Sequence, residues 1–418
     1  MYKRQTFNHV DSQPSSNQKN LIPEKLFTEK SFNFSHKEKV FKDFDKQLLL
    51  PHKLSQTGPA IAKSDLNNDG LEDVFIGGAH QQPAQLLIAT KDGSFKVATV
   101  STFVNDKNFE DVAACFFDAD NDGDDDLYVV SGSYEFAENS DALLDRLYIN
   151  KGNLIFEKSA KSIPAIKSAG AVVKASDFDN DGDLDLFIGS RVIPGKYPYA
   201  PNNFLLVNEN GTFKNKIASL APSAEKTGML TDAQWVDIDN DSDQDLIVTG
   251  EWMGIEVFIN EAGKLIKTNN FESLSNTKGW WNSIVVEDID NDGDKDIIAG
   301  NQGLNYKHHA SKEKPFHVYT KDFDNNGVED IILAKYYKSK QVPARGKSCT
   351  SQQIPFLKEK IKTYDEFANS DLEGILGEGI ASSLHYQVTE LRSGIFINNG
   401  KGEFDFKAFP LDVQKSPI

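Results

Sequence analysis

Cysteine is almost missing from this chain: Cys115 and Cys349 are the two among 418 residues. That excludes a disulfide-stapled scaffold and a four-cysteine zinc site. Positive charge is also short, with 45 Lys+Arg against 63 Asp+Glu and a formal net charge of −18. Phosphate binding needs clustered Lys and Arg, so no nucleic-acid partner is expected. No apolar run comes near the roughly 20 residues of a bilayer-crossing helix, so no membrane-spanning segment is expected. The sequence also has no nucleophile elbow, phosphate-binding loop or zinc-protease motif. The 39% hydrophobic and 11% aromatic residues suffice for a substantial core. Such a length holds two or three ordinary domains, or one large domain built from repeats.

The acid is concentrated in six nine-residue segments: DLNNDGLED, DADNDGDDD, DFDNDGDLD, DIDNDSDQD, DIDNDGDKD and DFDNNGVED. They begin at Asp65, Asp118, Asp177, Asp237, Asp288 and Asp322, at intervals of 53, 59, 60, 51 and 34 residues. The first four intervals match one four-stranded propeller blade with variable loops, and the last is too short for one. Oxygen-bearing side chains recur at positions 1, 3, 5 and 9, usually with Gly at position 6. Calcium takes six to eight oxygens, one of them commonly a backbone carbonyl, which position 7 would supply. Gly permits the positive φ that wraps the chain around an ion.

The candidate ligands fall loop by loop. They are Asp65, Asn67, Asp69, Leu71 and Asp73, then Asp118, Asp120, Asp122, Asp124 and Asp126. The third and fourth sets are Asp177, Asp179, Asp181, Asp183 and Asp185, and Asp237, Asp239, Asp241, Asp243 and Asp245. Asp288, Asp290, Asp292, Asp294 and Asp296 make the fifth; Asp322, Asp324, Asn326, Val328 and Asp330 make the sixth. A single acidic turn needs no metal. Six copies would repel themselves strongly without one. Up to six Ca2+ are expected, which would bring the charge from −18 to −6. An EF-hand does not fit, because position 12 is Ile76, Val129, Ile188, Val248, Ala299 or Leu333 instead of Glu, and apolar β-rich runs flank each loop.

Most loops are followed by a second hairpin, as in RLYINKGNLIFEKS and IEVFINEAGKLIKT. A calcium hairpin plus such a hairpin makes a four-stranded antiparallel blade. The expected fold class is all-β: a β-propeller over residues 31–418 with five to six blades present, after a disordered or non-native segment 1–30. After the fifth loop the hairpin is displaced, so the sixth loop either forms the outer turn of blade five or begins a new blade. A helical insertion is expected at about 345–385, with two short helices, the second capped by Ser370 with Glu373. Its apolar face is expected to pack on the propeller.

The stretch DLNNDGLEDVFIGGAH resembles the FG-GAP repeat of integrin α-subunit propellers, and all six loops resemble FG-GAP/VCBS calcium loops. LLPHKLSQTGP, SRVIPGKYP, TGEWM, GWWNSIVVEDIDNDGDKDIIAGNQGLNY and the helical insertion resemble the VCBS-repeat proteins of Bacteroidota related to the CRTAC1 and ASPIC/UnbV group. This resemblance implies an exported, surface-associated, calcium-stabilised propeller with no catalytic role, and ligands at the matching loop positions. Ser242 replaces the usual Gly and Asn326 an acid, so those two sites are expected to bind more weakly. MYKRQ at the start and PLDVQKSPI at the end read as cut edges, with a signal peptide expected in the full-length protein.

Beyond calcium, the conspicuous loop residues are Arg191, Tyr197, Trp252, Trp280, Trp281, Asn301, Asn305 and Tyr306. Aromatic rings beside amides and Arg suit a sugar, and equally suit wedging between blades. His308 and His309 read as an exposed loop rather than a metal site, since no third ligand is near in sequence. The expectation is a non-catalytic adhesion or ligand-binding module at the cell surface, with an unknown glycan or protein partner. A propeller-based polysaccharide lyase or hydrolase and a passive spacer are the rival readings.

Overall fold

A computed structural model describes residues 34–400 and 402–418; the expectation for segment 1–30 lies outside the described residues. Residues 35–418 form one compact unit. Four successive blades follow the chain. Blade I comprises β1 (Ile61–Ser64), β2 (Asp73–Ile76), β3 (Gln85–Ala89) and β4 (Phe95–Ala98). Blade II comprises β5 (Asp111–Phe117), β6 (Asp126–Ser131), β7 (Arg146–Asn150) and β8 (Phe156–Lys158). Blade III has β9 (Ala169–Ser176), β10 (Asp185–Val192), β11 (Phe204–Asn208) and β12 (Phe213–Asn215). Blade IV has β13 (Met229–Val236), β14 (Asp245–Met253), β15 (Glu256–Asn260) and β16 (Leu265–Lys267). All neighbours are antiparallel, and the first strands of consecutive blades pack side by side.

The second strands show why the sequence reads as it does. In blades II to IV each is sandwiched between two other blades, so both faces must be apolar and the run is nearly continuous. In β14, Leu246 and Val248 enter the core shared with blade III, while Ile247 enters the core shared with blade V. In β6, Leu127 and Val129 face blade I, and Tyr128 and Val130 face blade III. The period-2 alternation is therefore between two buried faces. The fourth strands, with one buried residue followed by two exposed ones in β8, β12 and β16, form the outer rim.

Blade V resolves the short last interval. Its β17 (Gly279–Glu287) and β18 (Asp296–Asn301) are followed by a separate sheet, and the chain returns only afterwards as β23 (Gly394–Asn398) and β24 (Phe404–Ala408). Strand β23 pairs with β18 through Ile297↔Phe396, Ile298↔Ile395 and Ala299↔Gly394. The intervening sheet has β19 (Phe316–Lys321), β20 (Asp330–Tyr337), β21 (Lys340–Pro343) and β22 (Leu384–Val388), in the order β21-β20-β19-β22. The Asp322 loop thus heads a sheet of its own, inserted between the second and third strands of blade V, and is not that blade's outer turn. Blades IV and V also join edge to edge, through Glu251↔Trp280 and Met253↔Gly279.

The helical insertion is more broken than two helices. Lys347–Gln353, Leu357–Lys360, Tyr364–Asn369 and Leu372–Leu376 are separate short helices, followed by a 3-10 turn at Gly377–Ser382. Thr363 and Glu366 form a capping box on the third, and Asp371 caps the fourth. Ser370 does not cap; its hydroxyl donates back to the Glu366 carbonyl. Leu357, Ile361, Phe367, Leu372, Ile375 and Leu376 pack on Tyr319, Ile332 and Ala334 of the inserted sheet. Phe356 and Tyr364 remain exposed.

A central core joins these parts: Leu49 and Leu50 of the approach segment, Tyr134, Val192, Tyr197, Trp252 and Trp280 from blades II to V, and Phe316 and Leu333 of the inserted sheet. Trp281 lies elsewhere, fully buried between blades IV and V against Phe396 and Phe406. Replacing Trp281 with Ala should cost about 3–5 kcal/mol in denaturant unfolding, because it empties that interface. A loss below about 1 kcal/mol would contradict this placement of β23 and β24 on blade V.

Candidate metal centre

Each acidic segment folds identically. The first Asp accepts two backbone N–H groups, from positions 5 and 6: Asp177 Oδ1 from Asp181 N at 3.0 Å and Oδ2 from Gly182 N at 3.1 Å. The pattern repeats at Asp65, Asp118, Asp237, Asp288 and Asp322. The position-5 side chain accepts from the N–H of position 7, as Asp181 does from Asp183 at 2.9 Å. These bonds curl the loop so that alternate side chains turn inward. The fold needs positive φ at positions 4 and 6, with Asn180 at 58° and Gly182 at 94°. Ser242 occupies the second of these positions at φ 80°, where its Cβ is strained.

Position 9 does a second job. Asp73, Asp126, Asp185, Asp245, Asp296 and Asp330 are essentially inaccessible. In blades I to V one oxygen accepts an N–H from the outer hairpin: Ala89, Asn150, Asn208, Asn260 and Asn398, at 2.7–2.8 Å. In blades II to V that partner is an Asn whose amide donates back to the position-8 carbonyl. Its side-chain oxygen accepts the N–H of a Gly in the outer turn. The loop and the outer hairpin are thereby stitched into one head.

Neighbouring heads are linked as well. Asn121 donates to Asp183 at 2.5 Å, Asn180 to Asp243 at 3.1 Å and Asn240 to Asp294 at 3.2 Å. Each bond runs from position 4 of one loop to position 7 of the next, so loops II to V lie side by side. Sequence reasoning assigned position 7 a carbonyl role only and passed over position 4. The signal was present: position 4 is Asn in all six copies, and position 7 is Asp in loops II to V.

The donor set fits a hard divalent cation. Oxygens of Asp177, Asp179 and Asp185 lie within 4.8 Å of one another, as do those of Asp237, Asp239 and Asp245, of Asp288, Asp290 and Asp296, and of Asp118, Asp120 and Asp122. Asp179 Oδ1, Asp185 Oδ2 and Asp324 Oδ1 are buried with no protein partner. Buried carboxylate oxygens pointed at one another without a donor are what a Ca2+ ion would satisfy. Positions 1, 3, 5 and 9, with the carbonyl of position 7, would hold it.

Burial, reinforced by the neighbouring loop carboxylates, pushes Asp126, Asp185 and Asp330 up to about 7 and Asp245 to about 6. In the metal-free protein these groups keep their protons after the unfolded chain has lost them.

The other singled-out residues separate into two sets. Arg191, Tyr197, Trp252, Trp280 and Tyr306 gather around Glu251, which sequence reasoning missed. Glu251 accepts from Arg191 at 2.6 Å, His52 at 2.8 Å and Tyr197 at 3.1 Å. Burial alone would raise its carboxyl, but Arg191 and His52 overcome that and hold it well below the usual carboxylate range. Trp252 donates to the Tyr197 hydroxyl at 2.5 Å and meets Trp280 edge-on at 5.0 Å. Trp281 and Asn301 lie apart. Asn301 is buried and accepts from Trp280 N, and Asn305 donates to the Lys415 carbonyl. His308 is not exposed: it is buried and stacked on Phe316 at 4.3 Å, and burial lowers it to about 4. His309 is exposed.

Two measurements follow from the loop geometry. Ser242→Gly should raise stability by about 1 kcal/mol, because Gly adopts the same φ without strain; a destabilised variant would contradict the strained turn. The raised aspartates contribute stability that is present below the unfolded carboxylate range and is lost as pH rises through 6–7. The depressed histidines oppose this only below about 6.5. Melts of decalcified protein should therefore fall as pH rises from 6.5 to about 7.5 and level off above that, and saturating calcium should restore them. A flat metal-free profile would refute the assignment.

Residues 65–129, 118–188 and 237–299 match the FG-GAP-like repeat family. No curated protein sequence matches the chain. Among solved structures, it is similar to an Agrocybe aegerita lectin described as recognising non-reducing terminal N-acetylglucosamine, at 16% identity and TM-score 0.41, covering 87% of this chain and 82% of that one. It is also similar to Saccharomyces cerevisiae Sqt1, at 12% identity and TM-score 0.36, covering 60% and 59% of the two chains. The Vibrio cholerae biofilm matrix protein Bap1 is similar at 15% identity and TM-score 0.26, covering 68% of this chain and 35% of that one. The chain thus carries FG-GAP-like repeats in a β-propeller-like fold.

Proposed function

We propose that this chain is a calcium-stabilised binding or adhesion module that works outside the cell, without catalysis, on a glycan or protein ligand. The observation that carries the reading is the row of linked acidic heads, with buried carboxylate oxygens turned toward one another and left without donors. Extracellular fluid supplies millimolar calcium, enough to fill even modest sites of this kind. Metal binding then becomes folding free energy, and a rigid set of blades presents its loops to a partner.

A non-catalytic role is favoured by the fate of the best catalytic candidates. Arg191 and Tyr197 converge, but on Glu251, which they and His52 hold ionised inside the core. An open cleft of about 460 Å3 lies between blades II and III. It is lined by Glu138, Asn139, Lys167, Asn202 and Lys226, hydrogen-bonding groups suited to a polar ligand.

Chelation should lower the melting temperature by more than about 10 °C, since several sites each contribute a few kcal/mol. On glycan and matrix-protein arrays, capture is expected in calcium and lost in chelator, with no bond cleavage of the captured ligand. Depolymerisation of any captured polysaccharide would overturn the non-catalytic reading.

A further inference from the structure

A cluster of different chemistry lies away from the acidic loops, where the approach segment meets blades I and II. One ligand atom each from His36, Glu38 and Glu110 lies within 4.8 Å of the others. His36 Nε2 and Glu38 Oε1 are 2.7 Å apart. Glu110, just before β5, is only 2% exposed; its Oε2 accepts the backbone N–H of His80 at 2.8 Å, while its Oε1 is buried with no partner. Behind it, His80 Nδ1 stands 3.1 Å from Glu135 Oε1, and the imidazole packs on Phe136.

The surroundings hold this group in place. The Gln82 side chain clamps the residues on both sides of His36, accepting from Lys37 N and donating to the Ser35 carbonyl, each at 2.8 Å. Lys46 ties down the carbonyls of Tyr134, Glu135 and Phe136. An open groove lined by Ser35, Lys37, Glu38, Lys39, His80 and Gln82 runs alongside and reaches the cluster at Glu38.

We infer that His36, Glu38 and Glu110 form a second kind of metal site, selective for a divalent transition metal of zinc's class, that staples the approach segment to blades I and II. Three observations converge. The buried Glu110 Oε1 accepts no backbone N–H, and the Glu38 carboxyl and the His36 imidazole stand beside it. An imidazole among the ligands turns preference from calcium, which takes oxygen alone, toward zinc-like ions. Two carboxylates would neutralise the ion's charge, with the open groove supplying a water as fourth ligand. None of these residues belongs to an acidic loop, so the site is independent of calcium.

The test uses the chain saturated with calcium, then titrated with Zn2+ and, for its visible spectrum, Co2+. One equivalent should bind, with a Co2+ spectrum of mixed nitrogen and oxygen ligation and a rise in melting temperature. Glu110→Gln and His36→Gln should each weaken uptake at least tenfold while leaving calcium content unchanged. A His317→Ala, His385→Ala double variant should keep full uptake, because that stacked pair of imidazoles lies in the inserted sheet, away from His36. No uptake by the unaltered chain would overturn the proposal without any variant. So would full uptake by both ligand variants, or loss of uptake only in the His317/His385 variant.

Discussion

Like charges are held together at the head of every blade, and the rest of the structure is arranged around that fact. Three carboxylate oxygens lie within 4.8 Å of one another in each of loops II to V, and position 9 of every loop is an Asp that solvent does not reach. That same Asp takes a backbone N–H from the outer hairpin in blades I to V. The repulsion and the stitching therefore fall on one side chain. Neutralising the loop with a cation secures the hairpin that completes the blade, and the Asn-to-Asp bonds carry that order from loop II to loop V.

Much of this was legible because it is local. A nine-residue pattern contains its own turn chemistry, and the strands beside it are short apolar runs whose alternation is simple to read. The exclusion of an EF-hand rested on position 12, and the structure has a strand residue there in every copy, Ile76 and Val248 among them. Position 4 was overlooked because its partner sits in a different blade. The same holds for Glu251, an acid inside an apolar strand, whose meaning comes from Arg191, His52 and Tyr197 converging on it from three other segments.

Long-range pairing accounts for the remaining gaps. Nothing near Asp322 tells whether that loop opens a new sheet, since the answer lies in Ala299 pairing with Gly394 across the whole insertion. The cap at Asp371 and not Ser370 is a choice between adjacent residues of similar propensity, which tertiary packing decides. His308 sits in a polar stretch yet is buried, because the inserted sheet brings Phe316 beneath it. The His36 cluster has no spacing to recognise: its ligands come from a segment leading into the blades and from the edge of β5.

Ion occupancy of the loops is the claim on which the fold energetics and the functional reading both rest. It is tested most directly by equilibrium dialysis of the decalcified chain against isotopic calcium, with bound ions counted per chain. The structure predicts five or six saturable sites, the Asp237 and Asp322 loops filling last because of Ser242 and Asn326. A chain that keeps its fold while binding no calcium at millimolar concentration would contradict it.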